Sequence, residues 1–453
     1  MAASGQTTRR LHARQAWLGD DTVAQDVLIE ITGGVITAVT PGVPEAPDAE
    51  VLSGLTLPGL QNTHSHVFHR AIRGHTQVGA ADFWAWRDLM YGVAERLNPE
   101  NLYALALATY GEMALAGITT VGEFFYVHND LQGMRYTDPN ELGKAVAAAA
   151  ADAGIRMTLL DTCYLQGDVK GAQLVGAQRR FDDGSWQRWA ERVDPLQDSE
   201  LLKIGAAIHS VRAVPQEGIA GVAEFASARG MPLHMHLSEQ PAENAACLAH
   251  FGCTPTELMH RSGALGPLST AVHATHLTDH DIELLGATRT HISMCCTTER
   301  DLADGVGPAL RLSQAGAPLC LGSDGHMQID LLEEARAMEL DERLVSLKRG
   351  HFSARLLAAA ATQQGASSLG WNSGRIAVGA TADLITITLD SPRTAGAGAR
   401  DPLAPVLFSA TASDVRTVIV GGRTVVANGE HQFIEDVGRA LDHVIGTLLT
   451  SGR

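Results

Sequence analysis

The sequence is short of cysteine and of long apolar runs. It has 6 cysteines in 453 residues, and two of them, Cys295 and Cys296, are adjacent. Secreted proteins that depend on disulfides have denser and more regularly spaced cysteines, so we expect no disulfide framework. No apolar stretch reaches the roughly 18 residues that a membrane-spanning helix needs, and residues 1–16 lack the apolar core of a signal peptide. We therefore expect a cytoplasmic protein with reduced cysteines.

Basic residues are also scarce. The chain has 34 Lys and Arg against 51 Asp and Glu, which gives a formal net charge of -17 at pH 7. Proteins that bind nucleic acid use basic stripes, and anionic membrane surfaces attract the same kind of patch. We therefore expect neither nucleic acid nor membrane as a partner. If the substrate is itself an anion, individual arginines must overcome this negative field locally.

Both ends of the chain carry β-strand patterns. Alternating apolar residues flank Gly33–Gly34 near the N-terminus and Gly421–Gly422 near the C-terminus, and each pattern predicts a hairpin. A further strand is predicted at residues 382–388, and the last stretch of the chain has the apolar spacing of a terminal helix. We expect residues 1–58 and 375–453 to build one small β-sandwich domain together.

The middle of the chain alternates strand-like apolar runs with Ala-rich segments of helical period. Eight such runs are present, which is the number of strands in a (β/α)8 barrel. They cover residues 56–62, 118–124, 156–161, 204–209, 232–237, 270–274, 290–295 and 318–322. We therefore predict an α/β fold, with a (β/α)8 TIM-type barrel over residues 59–374 that carries the catalytic site.

Histidines and acidic residues follow the predicted strands at the end where such barrels hold their active sites. His64 and His66 end the first run, and because side chains alternate along a strand they point to the same face. Two imidazoles on one face make half of a metal site. Further candidates end the fourth, fifth, sixth and eighth runs, namely His209, Arg212, His234, His236, Glu239, His273, His276, Asp324 and His326. This distribution predicts a metal site at the C-terminal rim of the barrel.

The order His-x-His, His-x-x-Glu, strand-end His and Ser-Asp resembles the amidohydrolase superfamily, in its aminohydrolase (deaminase) branch. Residues 374–384 resemble the return of such chains into their small β-sandwich. Other segments resemble, more narrowly, the iminohydrolases of that branch that act on N-formimino-L-glutamate in histidine degradation. These segments are residues 64–68, 83–91, 123–128, 209–214 and 234–240. The resemblance covers nearly the whole chain.

The resemblance implies one divalent metal ion per chain, with Zn²⁺ expected. Its ligands would be His64, His66, His236 and Asp324, a set that leaves room for a water molecule. Alternation along the strand places His234 and His236 on the same face, and the three-residue step to Glu239 favours His236 by resemblance. A second metal would need a carboxylated lysine at the end of the fourth strand. Lys203 begins that strand instead, so we expect one metal ion.

The resemblance also implies roles in catalysis. Glu239 would carry a proton to the imino nitrogen and then to the leaving amine. Asp324 would accept the first proton from the attacking water, and His273 would orient or polarise groups beside it. Between His273 and His276 the resemblance favours the first. His326 could face the pocket or lie in a solvated loop, and both alternatives stay open at this point.

The expected substrate is a small anion with two carboxylates, which guanidinium groups are suited to hold. Arg87 and Arg212 match the carboxylate-binding arginines of these iminohydrolases, and Tyr126 and His209 match their other polar contacts. For assembly we expect a homodimer. A non-catalytic barrel would predict missing ligands, whereas every expected metal and proton-transfer position is present.

The pattern of these iminohydrolases is broken at two positions. His69 stands where a glutamine that touches the substrate is expected, and Phe125 stands where a histidine is expected. We keep His69 as a candidate substrate contact, because an imidazole can still hydrogen-bond the formimino or glutamyl group. The departures leave open another N-imino or guanidino acid as the substrate. A heterocycle such as a nucleobase is a further alternative, although it would favour aromatic and amide groups over two arginines.

Overall fold

The structure is a computed structural model, and it describes residues 8–76 and 83–450. The strands are β1 (Arg9–Trp17), β2 (Val23–Thr32), β3 (Val35–Thr40), β4 (Glu50–Pro58), β5 (Leu60–Ser65), β6 (Ile118–Phe125), β7 (Arg156–Cys163), β8 (Leu202–Ile208), β9 (Leu233–Leu237), β10 (Ser269–His273), β11 (His291–Met294), β12 (Leu319–Leu321), β13 (Leu384–Ile387), β14 (Val415–Val420), β15 (Arg423–Ala427) and β16 (Glu430–His431).

The α-helices are α1 (Phe83–Ala94), α2 (Pro99–Leu115), α3 (Glu141–Ala153), α4 (Trp186–Val193), α5 (Gln216–Arg229), α6 (Pro241–Phe251), α7 (Pro255–Arg261), α8 (Asp279–Ala287), α9 (Cys296–Asp301), α10 (Ala309–Ala315), α11 (Leu331–Ser346), α12 (Ala354–Ala359), α13 (Gly365–Ser368), α14 (Leu403–Ser409) and α15 (Val437–Thr450). Short 3-10 turns cover Val67–Ile72, Gly176–Arg180, Ala397–Ala399 and Ala412–Asp414, and a π-turn covers Ala360–Gln364. Within residues 8–76 and 83–450, no helix combines the length and the apolar character needed to cross a bilayer.

Strands β5 to β12 close a barrel in which each strand is parallel to its neighbours in sequence. The predicted (β/α)8 barrel is confirmed. Every residue of β6 and of β7 is buried, because helices cover the outside of the barrel while side chains fill its interior. This burial on both faces explains why the strands read as continuous apolar runs in the sequence.

The first predicted run differs from the structure. Residues 56–62 were expected to form one strand, but the chain breaks at Gly59, between β4 in the small sheet and β5 in the barrel. A Cβ atom at Gly59 would lie 2.2 Å from the hydroxyl of Thr119. Gly59 N–H still donates to the carbonyl of Asp383, at 2.9 Å, and Leu60 N–H donates to that of Gly117. Because Gly59 has no side chain, the backbone can pass close to Thr119 as the chain leaves the small sheet and enters the barrel.

The remaining strands form one mixed sheet of eight strands, in the order β16-β15-β14-β13-β4-β1-β2-β3. The predicted small β domain from both ends of the chain is confirmed, including both hairpins. Gly421 and Gly422 have φ of +55° and +74°, as a tight hairpin turn requires. A buried ion pair joins the sheet to the barrel, since Arg156 of β7 donates to Asp383 at 2.8 Å. The exact division into residues 1–58, 59–374 and 375–453 stays a prediction, and residues 1–7 and 451–453 lie outside the described residues.

Candidate active site and metal centre

The backbone is unusual where the barrel strands end. Ser238, His273, Ala274, Asp324 and His326 all have φ between +40° and +69°, although none of them is glycine. These residues follow or end β9, β10 and β12. Left-handed conformations of such residues are strained, and they concentrate at functional sites where the surrounding structure holds them in place. The C-terminal rim of the barrel is therefore the first place to look for a site.

Four donor atoms converge at this rim. His64 Nε2 and His66 Nε2 lie 3.3 Å and 3.4 Å from Asp324 Oδ1. His236 Nε2 lies 3.1 Å from His64 Nε2 and 3.3 Å from His66 Nε2. Zinc–nitrogen bonds of about 2.0–2.1 Å in a tetrahedron separate neighbouring donors by about 3.3–3.4 Å. These four spacings are typical of the ligands of a small divalent metal ion; His64, His66 and His236 lie close enough together to hold one, and Asp324 adjoins both His64 and His66.

The protonation of two of these histidines leads to the same conclusion. His66 Nδ1 donates to the carbonyl of Phe124 at 2.8 Å, and His236 Nδ1 donates to that of His209 at 2.9 Å. Burial lowers the pKa of His66 to about 3 and that of His236 well below its usual value, so both rings are neutral. A neutral ring has one N–H, and hence both Nε2 atoms carry lone pairs. Two lone pairs that face each other at 3.3 Å repel unless a cation or a hydrogen-bond donor lies close to both, and a metal ion meets this requirement.

His273 lies beside the four donors, surrounded by carboxylates. Its Nε2 is 3.8 Å from both Glu239 Oε1 and Asp324 Oδ2, and its Nδ1 is 3.4 Å from Glu299 Oε1. Burial alone would lower the pKa of His273, but the three carboxylates raise it to about 10. His276 is not part of this group, since its Nε2 donates to the backbone carbonyl of Asp304 at 2.8 Å.

A cavity of about 490 Å³ opens above the metal donors. Its volume lies in the range of small-molecule binding sites. Its lining contains every predicted site residue except His64, which lies fully buried beneath it, so the lining includes His66, His69, Arg87, Tyr126, His209, Arg212, His236, Glu239, His273 and Asp324. The structure therefore brings the predicted residues together around one pocket. Their individual roles stay predictions.

Part of the cavity wall comes from segments that follow or lie outside the barrel strands. Arg87 lies on α1 and stacks over Tyr91, with its guanidinium carbon 5.5 Å from the ring centre. Arg212 follows β8 and exposes 31% of its side chain. Residues 167–170, Gln178 and Phe181 also line the cavity, so the segment 166–193 forms part of the wall. Buried Arg180 fixes that segment by donating to the carbonyl of Asn129.

The two departures from the iminohydrolase pattern lie in different places. His69 is buried at the cavity, with Nε2 3.0 Å from Tyr126 Oη, and burial lowers its pKa well below the usual value. Phe125 points to the other side of its strand, towards α3, where its ring lies 3.9 Å from the Cβ position of Gly143. Only the departure at His69 reaches the pocket.

A buried hydrogen-bond chain beneath the metal donors was missed by sequence reasoning. Asn62 Nδ2 donates to Ser323 Oγ at 2.7 Å, and Ser323 Oγ lies 3.1 Å from His326 Nδ1. His326 Nε2 lies 3.2 Å from Ser65 Oγ, which donates to Glu123 Oε2 at 2.7 Å. His326 is thus neither solvated nor part of the cavity lining. These hydrogen bonds tie the end of β5, where His64 and His66 lie, to the loop of Asp324.

Glu123 ends this chain, and it also accepts from the backbone N–H of Val67 at 2.7 Å. Burial raises its pKa to about 7. The only signal in the sequence was an acidic residue inside an otherwise apolar strand. Glu299 and Glu243 were missed in the same way, because their partners His273 and Arg212 are distant in sequence.

The sequence and the structure match known proteins. Residues 55–425 match the model of the amidohydrolase family. The chain is 36% identical over 439 residues to the formimidoylglutamate deiminase of Pseudomonas aeruginosa, covering 94% of this chain and 96% of the relative. It is 29% identical to the 5'-deoxyadenosine deaminase of Methanosarcina barkeri, covering 92% and 93%. An amidohydrolase from Brucella melitensis superposes with a TM-score of 0.89 at 32% identity, covering 98% of this chain and 100% of that one. The chain belongs to the amidohydrolase family.

Proposed function

We propose that the protein is a metal-dependent hydrolase of carbon–nitrogen bonds that converts N-formimino-L-glutamate to N-formyl-L-glutamate and ammonia, as part of histidine degradation. The observation that carries the proposal is the single pocket that has metal donors and Glu239 at one end and two arginines on its walls. The 36% identity to a formimidoylglutamate deiminase over nearly the full chain supports the same substrate.

His64, His66, His236 and Asp324 would hold the metal ion, for which we propose Zn²⁺ because imidazole and carboxylate ligands in a tetrahedral arrangement suit it. A divalent ion at this position supplies Lewis-acid chemistry, which makes water a competent nucleophile at neutral pH. The donor atoms are all buried, so water reaches them only through the cavity.

Glu239 would carry the protons. Water adds to the formimino carbon, the C=N bond becomes single, and the first proton of the water passes by way of Asp324 and Glu239 to the nitrogen. The tetrahedral intermediate then expels ammonia, because Glu239 carries the hydroxyl proton to the leaving amine as a carbonyl forms. Glu239 Oε1 and Asp324 Oδ2 each lie 3.8 Å from His273 Nε2, which supports a role for His273 in orienting this exchange.

Arg87 and Arg212 would bind the two carboxylates of the substrate. Guanidinium groups bind carboxylates through paired, charge-assisted hydrogen bonds. A chain of net charge -17 has no general attraction for an anion, so these two side chains would supply it locally. Tyr126, His209 and His69, which line the same cavity, would contact the rest of the substrate.

A second candidate is a deaminase of a nucleoside or another heterocycle. Trp86, Tyr91, Tyr164 and Phe181 line the cavity and offer faces on which a base could stack. The 29% identity to a 5'-deoxyadenosine deaminase supports this alternative. Two arginines in the wall favour the dianion over a neutral base.

The test is ammonia release by purified protein of measured metal content. N-formimino-L-glutamate, N-formimino-4-aminobutyrate, guanidinoacetate, cytosine, guanine and 5'-deoxyadenosine are offered at equal concentration. We expect the highest kcat/KM for N-formimino-L-glutamate. Metal-loaded protein that releases no ammonia from it, or that prefers a heterocycle, would overturn the proposal. A cytoplasmic homodimer belongs to the same proposal, and light scattering of the purified protein tests the dimer.

A further inference from the structure

Arg212 lies between two carboxylates, and one of them has no role in the proposed reaction. We infer that this residue, Glu243, is a positioning residue that holds Arg212 in place to bind a carboxylate of the substrate. The inference makes Glu243 a determinant of specificity for anionic substrates. It rests on the proposed function, in which Arg212 binds such a group.

Glu243 is a buried glutamate at the wall of the cavity. It lies in the first turn of α6, lines the cavity, and has a side chain with no solvent exposure. Neither carboxylate oxygen has a side-chain donor in hydrogen-bonding geometry in the described part of the chain, and the backbone N–H of Ser238 also stabilises its charge. Among the described residues, the one ion pair of Glu243 joins its Oε2 to Arg212 Nε at 3.6 Å. A buried charge of this kind is unfavourable unless it is paired, so Arg212 is the partner that keeps it there.

Arg212 has a second acidic neighbour. Its Nη2 lies 3.6 Å from Glu239 Oε2, on the same side of the guanidinium as the Nε that faces Glu243. Both separations are longer than a hydrogen bond. The guanidinium is therefore shared between the two carboxylates and bonded closely to neither. Its remaining nitrogen, Nη1, is left for a ligand in the cavity.

The role of Glu243 can be seen from what its removal would do to Arg212. Without Glu243, attraction to Glu239 is unopposed, and Arg212 can close the 3.6 Å gap to a direct ion pair. Arg212 would then be withdrawn from the substrate, and Glu239 would be occupied. With Glu243 in place, the guanidinium is held at a distance from Glu239 and oriented towards the cavity. Glu243 thus acts on the substrate through Arg212 and not by contact.

The first test compares Glu243→Gln with wild-type protein. We expect kcat/KM for N-formimino-L-glutamate to fall about tenfold, through a higher KM and a lower kcat, while metal content stays at the wild-type level. Glu243→Asp keeps the charge and should return kcat/KM to within threefold of wild type. The matched control is Glu339→Gln, because Glu339 is also fully buried and paired with a partly exposed arginine, Arg343, at 2.7 Å on α11. This control should leave KM unchanged.

A double-mutant cycle shows whether Glu243 acts through Arg212. In an Arg212→Met background, Glu243→Gln should cause no further loss of kcat/KM. A further tenfold loss in that background would overturn the inference, and so would a single variant Glu243→Gln that keeps the wild-type KM.

A measurement that needs no substrate separates failure of this inference from failure of the proposed function. Phenylglyoxal modifies accessible arginines, and peptide mass spectrometry gives the rate at Arg212 alone. Because Glu243→Gln should let Arg212 close onto Glu239, we expect it to lower that rate at least threefold relative to wild type, with no change at Arg343. An unchanged or raised rate would overturn the inference even if wild-type protein hydrolyses N-formimino-L-glutamate. A lowered rate would support it even if another anion proves to be the substrate.

Discussion

The two ends of the pocket are built in different ways. At the metal end, His64, His66 and His236 lie on barrel strands or directly after them, and two of the three are oriented by hydrogen bonds to backbone carbonyls. Of the two arginines, Arg87 lies on α1 outside the barrel, and Arg212, next to Glu239, is held by ion pairs of 3.6 Å without close hydrogen bonds. Groups that carry chemistry need fixed geometry, whereas groups that select a substrate can lie on peripheral segments that vary.

The largest expected effect is at the metal end. His236→Ala removes one of four converging donors, and the protein should then purify without metal and release no measurable ammonia. Metal analysis by inductively coupled plasma mass spectrometry and the ammonia assay check both parts. His234→Ala is the matched control, because His234 lies on the same strand and bonds instead to the carbonyl of Ser368 at 3.2 Å. A His236→Ala protein with full metal content would show that the ligand set is wrong.

Glu239→Gln should remove proton transfer and leave the metal in place. General acid–base groups contribute about 10²–10⁴-fold, so kcat should fall by that factor. The variant keeps the size of the side chain, and KM and metal content should change little. Steady-state kinetics on protein of measured metal content decides the outcome. A kcat within a factor of three of wild type would remove Glu239 from the proposed mechanism.

Arg212→Met should act on the substrate and spare the metal. Hydrogen bonds to charged groups contribute about 1.5–3 kcal/mol, which corresponds to a loss of roughly 10–150-fold in kcat/KM for the dianion. An analogue without the carboxylate that Arg212 binds should lose much less. Arg229→Met is a suitable control, since Arg229 pairs with Asp194 and does not line the cavity. If kcat/KM fell equally for the dianion and for each analogue that lacks one of its two carboxylates, Arg212 would not be a carboxylate-binding residue.

The smallest expected effect comes from the hydrogen-bond chain beneath the metal. Glu123→Gln should weaken metal binding by about 10-fold, the lower end for residues that support ligands, because glutamine can still accept from Ser65. Competition with a chelator of known affinity measures the change. Substrate KM at saturating metal should stay constant, since Glu123 is buried below the cavity. A changed KM with an unchanged metal affinity would place Glu123 in substrate binding instead.

The sequence predicted the barrel well because its strands are buried on both faces and separated by helical segments. It did not predict the break at Gly59, since apolar residues continue on both sides of it. The short-range features of the fold could therefore be predicted from the sequence. The point where the chain leaves the small sheet and enters the barrel could not, because it depends on the contact of Gly59 with Thr119.

For the site, strand ends identified the histidines and the acidic residues near the metal, because a histidine at the end of a buried strand stands out, whereas Arg87, Tyr126 and His69 followed from the resemblance to the iminohydrolases. The supporting residues could not be found in the same way. Ser65 and Glu123 are 58 positions apart, and Ser65 and His326 are 261 apart. Nothing in the local sequence links such pairs, and their roles follow only from contacts in the folded chain.

The decisive measurement is a titration of metal-free protein with Zn²⁺, in which the initial rate of ammonia release from N-formimino-L-glutamate is followed. One metal ion held by the proposed ligands His64, His66, His236 and Asp324 predicts that the rate rises linearly and levels off at one equivalent per chain. Full activity without metal would contradict the proposed function, and a rise that continues to two equivalents would contradict the single metal site.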